Sequence, residues 1–291
     1  MNTAATSNAA ETITFNGQPA LQLRSPDGAQ AVVLLHGAHL VSWRPATPDK
    51  QPGEEQLYLS ERAIFKEGVA VRGGVPVIFP QFEKRGPLPR HGLARTRHWS
   101  LSETRVGPDH AVAVLRLIND DDTQAHWPHE FEAELTVCIG STRLDIELSI
   151  TNTGTAPLHF TAALHTYLRV SEVQQVRLEG LNGLRYIDST SGEEHLDLNQ
   201  TLQVHGEIDR IYMRANQTLL LRDHSRRVAI ESQAFDDVVV WNPGPNKCAA
   251  LPDMPADGWR EMLCVEAARI THPIDLPPGE EWSGRQSLLA I

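Results

Sequence analysis

Three cysteines in 291 residues, Cys138, Cys248 and Cys264, are too few and too far apart for a disulfide framework. With no Cys-x-x-Cys pair among them, a structural zinc site is not expected either. The thirteen histidines contain no His-x-His and no His-Glu-x-x-His, so the sequence carries no metal-ligand spacing. Basic charge is also scarce, with 26 Lys and Arg against 37 Asp and Glu and a net charge of −11. Without a long Lys/Arg run, a broad nucleic-acid or anionic-membrane surface is excluded, although a local basic pocket is not. No apolar run approaches the roughly 18 residues that a spanning helix needs. The opening MNTAATSNAA has neither a basic start nor an apolar core, so no secretory signal is read there. These absences predict a disordered tail over residues 1–10 and a cytoplasmic setting without membrane or nucleic-acid partners. Long helical periodicity, fixed-length repeats and a compositional break are missing as well, which predicts one domain over 11–291.

What is present is β pattern. Short apolar runs recur between turn signals such as Asn16-Gly17, Pro26-Asp27-Gly28 and Asn152-Thr153-Gly154. Leu144-Asp145-Ile146-Glu147-Leu148-Ser149-Ile150 alternates strictly, as a strand with one dry and one wet face must. Further strand signal is read at 99–103, 111–117, 130–139, 158–170, 175–180, 200–204, 217–222, 227–231, 237–241 and 262–270. That many strands in one domain point to an all-β fold of stacked antiparallel sheets, a large β-sandwich.

One stretch breaks the pattern, Arg72 to Arg95, RGGVPVIFPQFEKRGPLPRHGLAR. Glycine and proline shape this backbone tightly and hold two guanidinium groups and an imidazole on it. That arrangement suits a small, polar, anionic ligand, and it equally suits a crossover loop with solvated arginines. His165, if its segment is a strand, shares a face with Thr161, Ala163 and Tyr167, a small and mixed surface that can be a cleft floor or simple packing. Glu266 lies inside the apolar run Met262–Ala268. Burying a carboxylate there is costly unless it is paired or protonated, and burial raises its pKa towards a general base's range. Trp241 and Asn242 are placed at the rim of a Pro-Gly-Pro loop, with Asp257-Gly258-Trp259 close to them.

Taken together and in order, Arg72-Gly73-Gly74-Val75-Pro76, Phe79-Pro80-Gln81-Phe82 and His91-Gly92-Leu93-Ala94-Arg95 resemble the hexose-6-phosphate mutarotases of the aldose 1-epimerase superfamily. Leu164-His165-Thr166-Tyr167, Asp209-Arg210-Ile211-Tyr212, Trp241-Asn242-Pro243-Gly244-Pro245 and Cys264-Val265-Glu266 follow in the same order, so the resemblance runs from about Gly37 to Ala268. It implies a galactose mutarotase-like supersandwich with a cofactor-free site on one sheet, and a monomer is expected.

 The family's catalytic histidine falls on His165 and its glutamate on Glu266, and its substrate contacts fall on Arg72, Gln81, Arg95 and Asp209, with His91 as a further pocket residue. A glycine is usual where Glu83 stands; this added carboxylate is expected to weaken anion binding or to pair with Lys84 or Arg85.

The chemistry these residues suit is the interconversion of α and β anomers, in which a base takes the O1 proton while an acid protonates the ring oxygen. Glu266 is the expected base and His165 the expected acid. Arg72 and Arg95 offer planar forks for a phosphate, with Lys66 as a helper, so the expected partner is a hexose 6-phosphate. Two other readings stand beside this one: an epimerase of unphosphorylated aldoses, and a non-catalytic sugar-phosphate-binding sandwich.

Overall fold

The computed structural model describes residues 10–224 and 226–291. The tail expected over residues 1–10 lies outside the described residues except for Ala10, which opens the first strand, Ala10–Phe15. Three antiparallel sheets account for most of the chain. The first is a meander of Ala10–Phe15, Gln18–Arg24, Gln30–Leu34 and His39–Arg44, paired in chain order.

The second sheet carries the cavity and is called here the site sheet. Its strands run in the order Glu194–Leu196, Arg185–Asp188, Ile208–Met213, Asp237–Asn242, Met262–Leu276, Leu158–Leu164 and Val77–Ile78, with Tyr167–Arg169 also paired to Met262–Leu276. The third, the back sheet, is built around Arg226–Gln233, Glu281–Ala290, Arg143–Asn152, Phe131–Gly140 and Ala111–Ile118. Arg143–Asn152 alternates residue by residue between buried and part-exposed, as its sequence predicts for a strand with one wet face. Residues 262–268 of the site sheet are instead buried without alternation. One face of that strand packs on the back sheet and the other lies under the cavity.

The two large sheets meet through aromatic side chains. Trp282 of the back sheet sets its ring edge-on to Phe160 and Phe235, at 6.0 and 5.2 Å between centroids. Phe79, in the stretch that carries the arginines, makes edge contacts with Trp127, Phe131 and Phe160. Burying such rings anchors an otherwise irregular loop to the core.

Three local expectations change. The strand read continuously through 158–170 is interrupted at His165 and Thr166, although Leu164↔Ala267 and Tyr167↔Cys264 keep one register across the gap. The interruption arises because His165 N–H donates to Pro76 O at 3.0 Å and Tyr167 N–H to Gly74 O at 2.9 Å, which draws this edge onto the loop. The Pro-Gly-Pro segment is a short helix, Gly244–Ala249, rather than a loop. Finally, Glu281–Ala290 is a long strand that the sequence pattern did not announce. Its inward positions include Gly284 and Gln286, so the usual apolar alternation is absent.

Candidate active site

Strand register builds the cavity floor. In one row across the site sheet, Asp209 pairs with Trp241, Trp241 with Cys264, and Cys264 with Tyr167. In the next, Ile187 pairs with Ile211, Ile211 with Val239, and Val239 with Glu266. Residues paired across antiparallel strands share a face, so both rows look the same way. Continuing the register that joins Leu164 to Ala267 puts His165 opposite Glu266. The result is a His165 Nδ1 to Glu266 Oε1 distance of 3.3 Å, with Glu266 1% exposed.

Above this floor lies a cavity of about 530 Å³. The 72–95 stretch forms one wall with Arg72, Phe82, Glu83, Arg90, His91 and Arg95, and Lys247 and Asp253 also line the cavity. Two glycines let the wall close. Gly74 has φ +61°, and a Cβ there would lie 2.9 Å from His39 Nε2. Gly92 has φ +70°, and its Cβ would overlap the Phe79 backbone. His39 itself donates Nε2–H to Gly73 O at 2.6 Å, which props the turn behind Arg72. Burial lowers the His39 pKa to about 4, so it remains neutral in this role.

His165 is enclosed by rings. Tyr167 stacks on it at 4.8 Å with 9° between planes, while His91 and Trp241 approach edge-on at 5.5 and 6.0 Å. Desolvation, reinforced by His91, Arg95 and Arg72, pushes the His165 pKa well below its ordinary value. Desolvation, reinforced by Asp209, pushes the Glu266 carboxyl well above its own. The free site therefore favours a neutral pair, with one proton on Glu266 and an uncharged imidazole beside it. Burial and the surrounding arginines similarly push His91 down to about 2, and burial raises the Asp209 carboxyl.

The arginines are not equivalent. Arg72 donates Nη1–H to the Tyr167 hydroxyl at 3.0 Å and Nε–H to Asp253 Oδ2 at 3.2 Å. Its pKa is raised, first by Tyr167 and then by Asp253, so it is a firmly held cation. Arg95 donates Nη2–H to Arg90 O at 2.8 Å and has a buried Nε with no partner. Burial, with Arg72 and Arg90 nearby, brings its pKa down to about 10. Such a desolvated cation gains from any anion that enters the cavity.

Of the residues named from sequence, His165, Glu266, Arg72, Arg95, Asp209 and His91 all line this one cavity. Gln81 does not. Its amide donates to Glu83 O and Leu88 O, each at 3.0 Å, and accepts from Leu88 N–H at 2.9 Å, so it holds the loop instead of facing a ligand. Lys66 is likewise absent from the lining. Trp241 belongs to the floor rather than a rim, and Asn242 is buried, donating to Trp259 O and Met262 O at 2.7 and 2.8 Å. Glu83 pairs with Arg90 at 3.0 Å, not with Lys84 or Arg85 through their side chains. Tyr167, which the sequence places on the His165 face, does line the cavity, whereas Arg90, Lys247 and Asp253 were missed because only the packing of separate segments turns them inward.

Among the described residues, His165, Cys264 and Glu266 could hold a metal ion, since one ligand atom from each lies within 4.8 Å of the others. Burial and then Glu266 push the Cys264 thiol well above its ordinary pKa, so it would have to surrender a tightly held proton.

The family profile "Aldose 1-epimerase" matches residues 19–289. A protein of Cenchrus ciliaris named "Putative glucose-6-phosphate 1-epimerase" is 35% identical, covering 96% of this chain and 86% of its own. One of the same name from Escherichia coli K12 is 36% identical, covering 82% and 79%. A solved structure of Salmonella typhimurium titled a "putative mutarotase" superposes with TM-score 0.88 at 28% identity, covering 97% of this chain and 93% of that one. With the profile spanning nearly the whole chain, the protein belongs to the aldose 1-epimerase family.

Proposed function

We propose that this protein interconverts the α and β anomers of hexose 6-phosphates, with glucose 6-phosphate as the expected substrate. The observation that carries the reading is the buried His165–Glu266 pair at 3.3 Å, facing a cavity walled by Arg72, Arg90 and Arg95. Arg72 and Arg90 are matched by Asp253 and Glu83, whereas Arg95 keeps a buried Nε with no partner, so an entering anion gains most there.

In ring opening, Glu266 carboxylate takes the O1 proton, the C1–O5 bond breaks as the C1 carbonyl forms, and O5 takes a proton from His165. Rotation about C1–C2 presents the other carbonyl face. For closure, His165 removes the O5 proton while O5 attacks C1, and Glu266 returns a proton to O1. With Nδ1 turned to Glu266, Nε2 is the histidine nitrogen left for the sugar. Protons balance within the pair, because moving one proton from Glu266 to His165 converts the neutral resting form into the working carboxylate–imidazolium form. A phosphate seated on Arg72 and Arg95 favours this shift, since it offsets the positive field that adds to burial in keeping His165 uncharged. General acid–base groups of this kind typically contribute ~10²–10⁴-fold each.

The test is two-dimensional exchange NMR on equilibrated glucose 6-phosphate and on free glucose, with wild-type protein and Glu266→Gln. Faster anomer exchange for the phosphorylated sugar, lost in the variant while binding persists, supports the reading. Binding with no exchange in the wild type replaces it with a sugar-phosphate-binding module, and equal acceleration of both sugars replaces it with an aldose epimerase.

A further inference from the structure

Glu83 occupies an unusual backbone position. Its φ is +50°, in the left-handed region that favours glycine and costs other residues of order 1 kcal/mol. Three hydrogen bonds hold it there. Its carbonyl accepts from His91 N–H at 2.9 Å and from Gln81 Nε2 at 3.0 Å, and its own N–H donates to His91 Nδ1 at 3.3 Å. A side chain on this fixed backbone has little choice of direction. Both Glu83 and Arg90 line the cavity, and Glu83 Oε1 lies 3.0 Å from Arg90 Nε.

The pair is only partly shielded, with the Arg90 and Glu83 side chains 52% and 37% exposed. Ion pairs in such a setting are worth about 0–1 kcal/mol, so a better anion can replace the carboxylate. Arg90 is also well placed for one. Its carbonyl holds the Arg95 guanidinium at 2.8 Å, which puts both arginines on one stretch of wall. A phosphate dianion offers more charge and more acceptor oxygens than a single carboxylate.

We propose that Arg90 is a third phosphate-binding cation and that Glu83 is its built-in competitor, occupying Arg90 in the free site and yielding it to the phosphate of the substrate. This inference rests on the hexose-phosphate reading of the cavity. Glu83 thereby sets affinity for the phosphorylated end of the sugar without touching the reacting atoms. Because the carboxylate neutralises Arg90 when no phosphate is present, it also weakens the hold of the site on other small anions.

Binding of inorganic phosphate, measured by calorimetry on the full chain, tests the competition without any turnover. Glu83→Gln keeps the side-chain size and removes the charge. It is expected to tighten phosphate binding about 3- to 5-fold at low salt, with the gain shrinking as ionic strength rises. Arg90→Met is expected to weaken phosphate binding and to abolish the effect of Glu83→Gln in the double variant. In kinetics with glucose 6-phosphate, the gain of Glu83→Gln falls on KM and not on kcat. Unchanged or weaker phosphate binding in Glu83→Gln overturns the proposal, as does the same gain in the Arg90→Met background. Should the wild type bind phosphate in this pattern and yet accelerate no anomer exchange, the competition stands and the mutarotase assignment falls.

Discussion

Replacing Gln286 by leucine probes how the back sheet holds the acid–base pair in place. Gln286 is 1% exposed and reaches across to the site sheet. It accepts from the Thr166 hydroxyl at 2.5 Å and donates Nε2–H to Val265 O at 3.0 Å. Those partners are the chain neighbours of His165 and Glu266, so one buried amide ties together the backbone beneath both groups. Leucine at this position orphans a hydroxyl and a carbonyl, each at about 1–3 kcal/mol, for a total loss of about 2–6 kcal/mol. For a chain of this size that corresponds to a fall in Tm of roughly 3–10 °C. The catalytic consequence is separate. If the pair relaxes by about 1 Å, kcat falls by about 10²-fold, while KM for glucose 6-phosphate changes little because the arginine wall is not involved. Thermal unfolding and exchange NMR below the lowered Tm measure the two effects independently. A double-mutant cycle with Thr166→Val should show coupling, since both substitutions break the same bond. A variant that loses stability but keeps wild-type kcat would refute the positioning role and leave Gln286 as a core residue only.

Arg95→Met should raise KM for glucose 6-phosphate about 10- to 100-fold, the cost of roughly 1.5–3 kcal/mol for a charge-assisted hydrogen bond, with a much smaller change for free glucose in the same NMR assay. The pH profile of kcat/KM, corrected for the dianion fraction of the substrate, should have a broad neutral plateau. In the proposed mechanism the site works while His165 and Glu266 hold one ionisable proton between them. A lowered histidine pKa moves the acid limb well below the ordinary histidine value, and a raised carboxyl pKa moves the alkaline limb well above the ordinary glutamate value. Limbs at the unperturbed values would show that the pair is solvated instead of buried. Saturating inorganic phosphate should raise the His165 pKa followed by ring-proton NMR, because it offsets Arg95 and Arg72; an unchanged titration would place the anion away from them. Gly92→Ala should destabilise the fold by at least about 2 kcal/mol in denaturant unfolding, since φ +70° and the Phe79 backbone leave no room for a methyl group.

The sequence by itself determined the class of the fold and singled out His165 and Glu266, the two groups proposed to carry the reaction. Strict alternation, as in Leu144–Ile150, reports a half-wet strand whatever surrounds it, because side-chain direction in a strand is a local property. A glutamate inside Met262–Ala268 announces burial for the same reason, and the Gly/Pro framing of Arg72 to Arg95 marks a loop of fixed shape. Tertiary structure alone decided which side chains meet. His165 and Glu266 become neighbours through the register of two strands distant in the chain, and no local pattern encodes a register. Gln81 turned out to be spent on its own loop, Glu83 was matched to Arg90, and Asp253 came to Arg72 from beyond the Gly244–Ala249 helix. The strand carrying Gln286 was invisible because two successive inward positions are a glycine and an amide, and the value of that amide lies in partners on another sheet. Hydrophobic pattern is written residue by residue along the chain. Charge pairing depends on distances that exist only once the sheets and loops have packed.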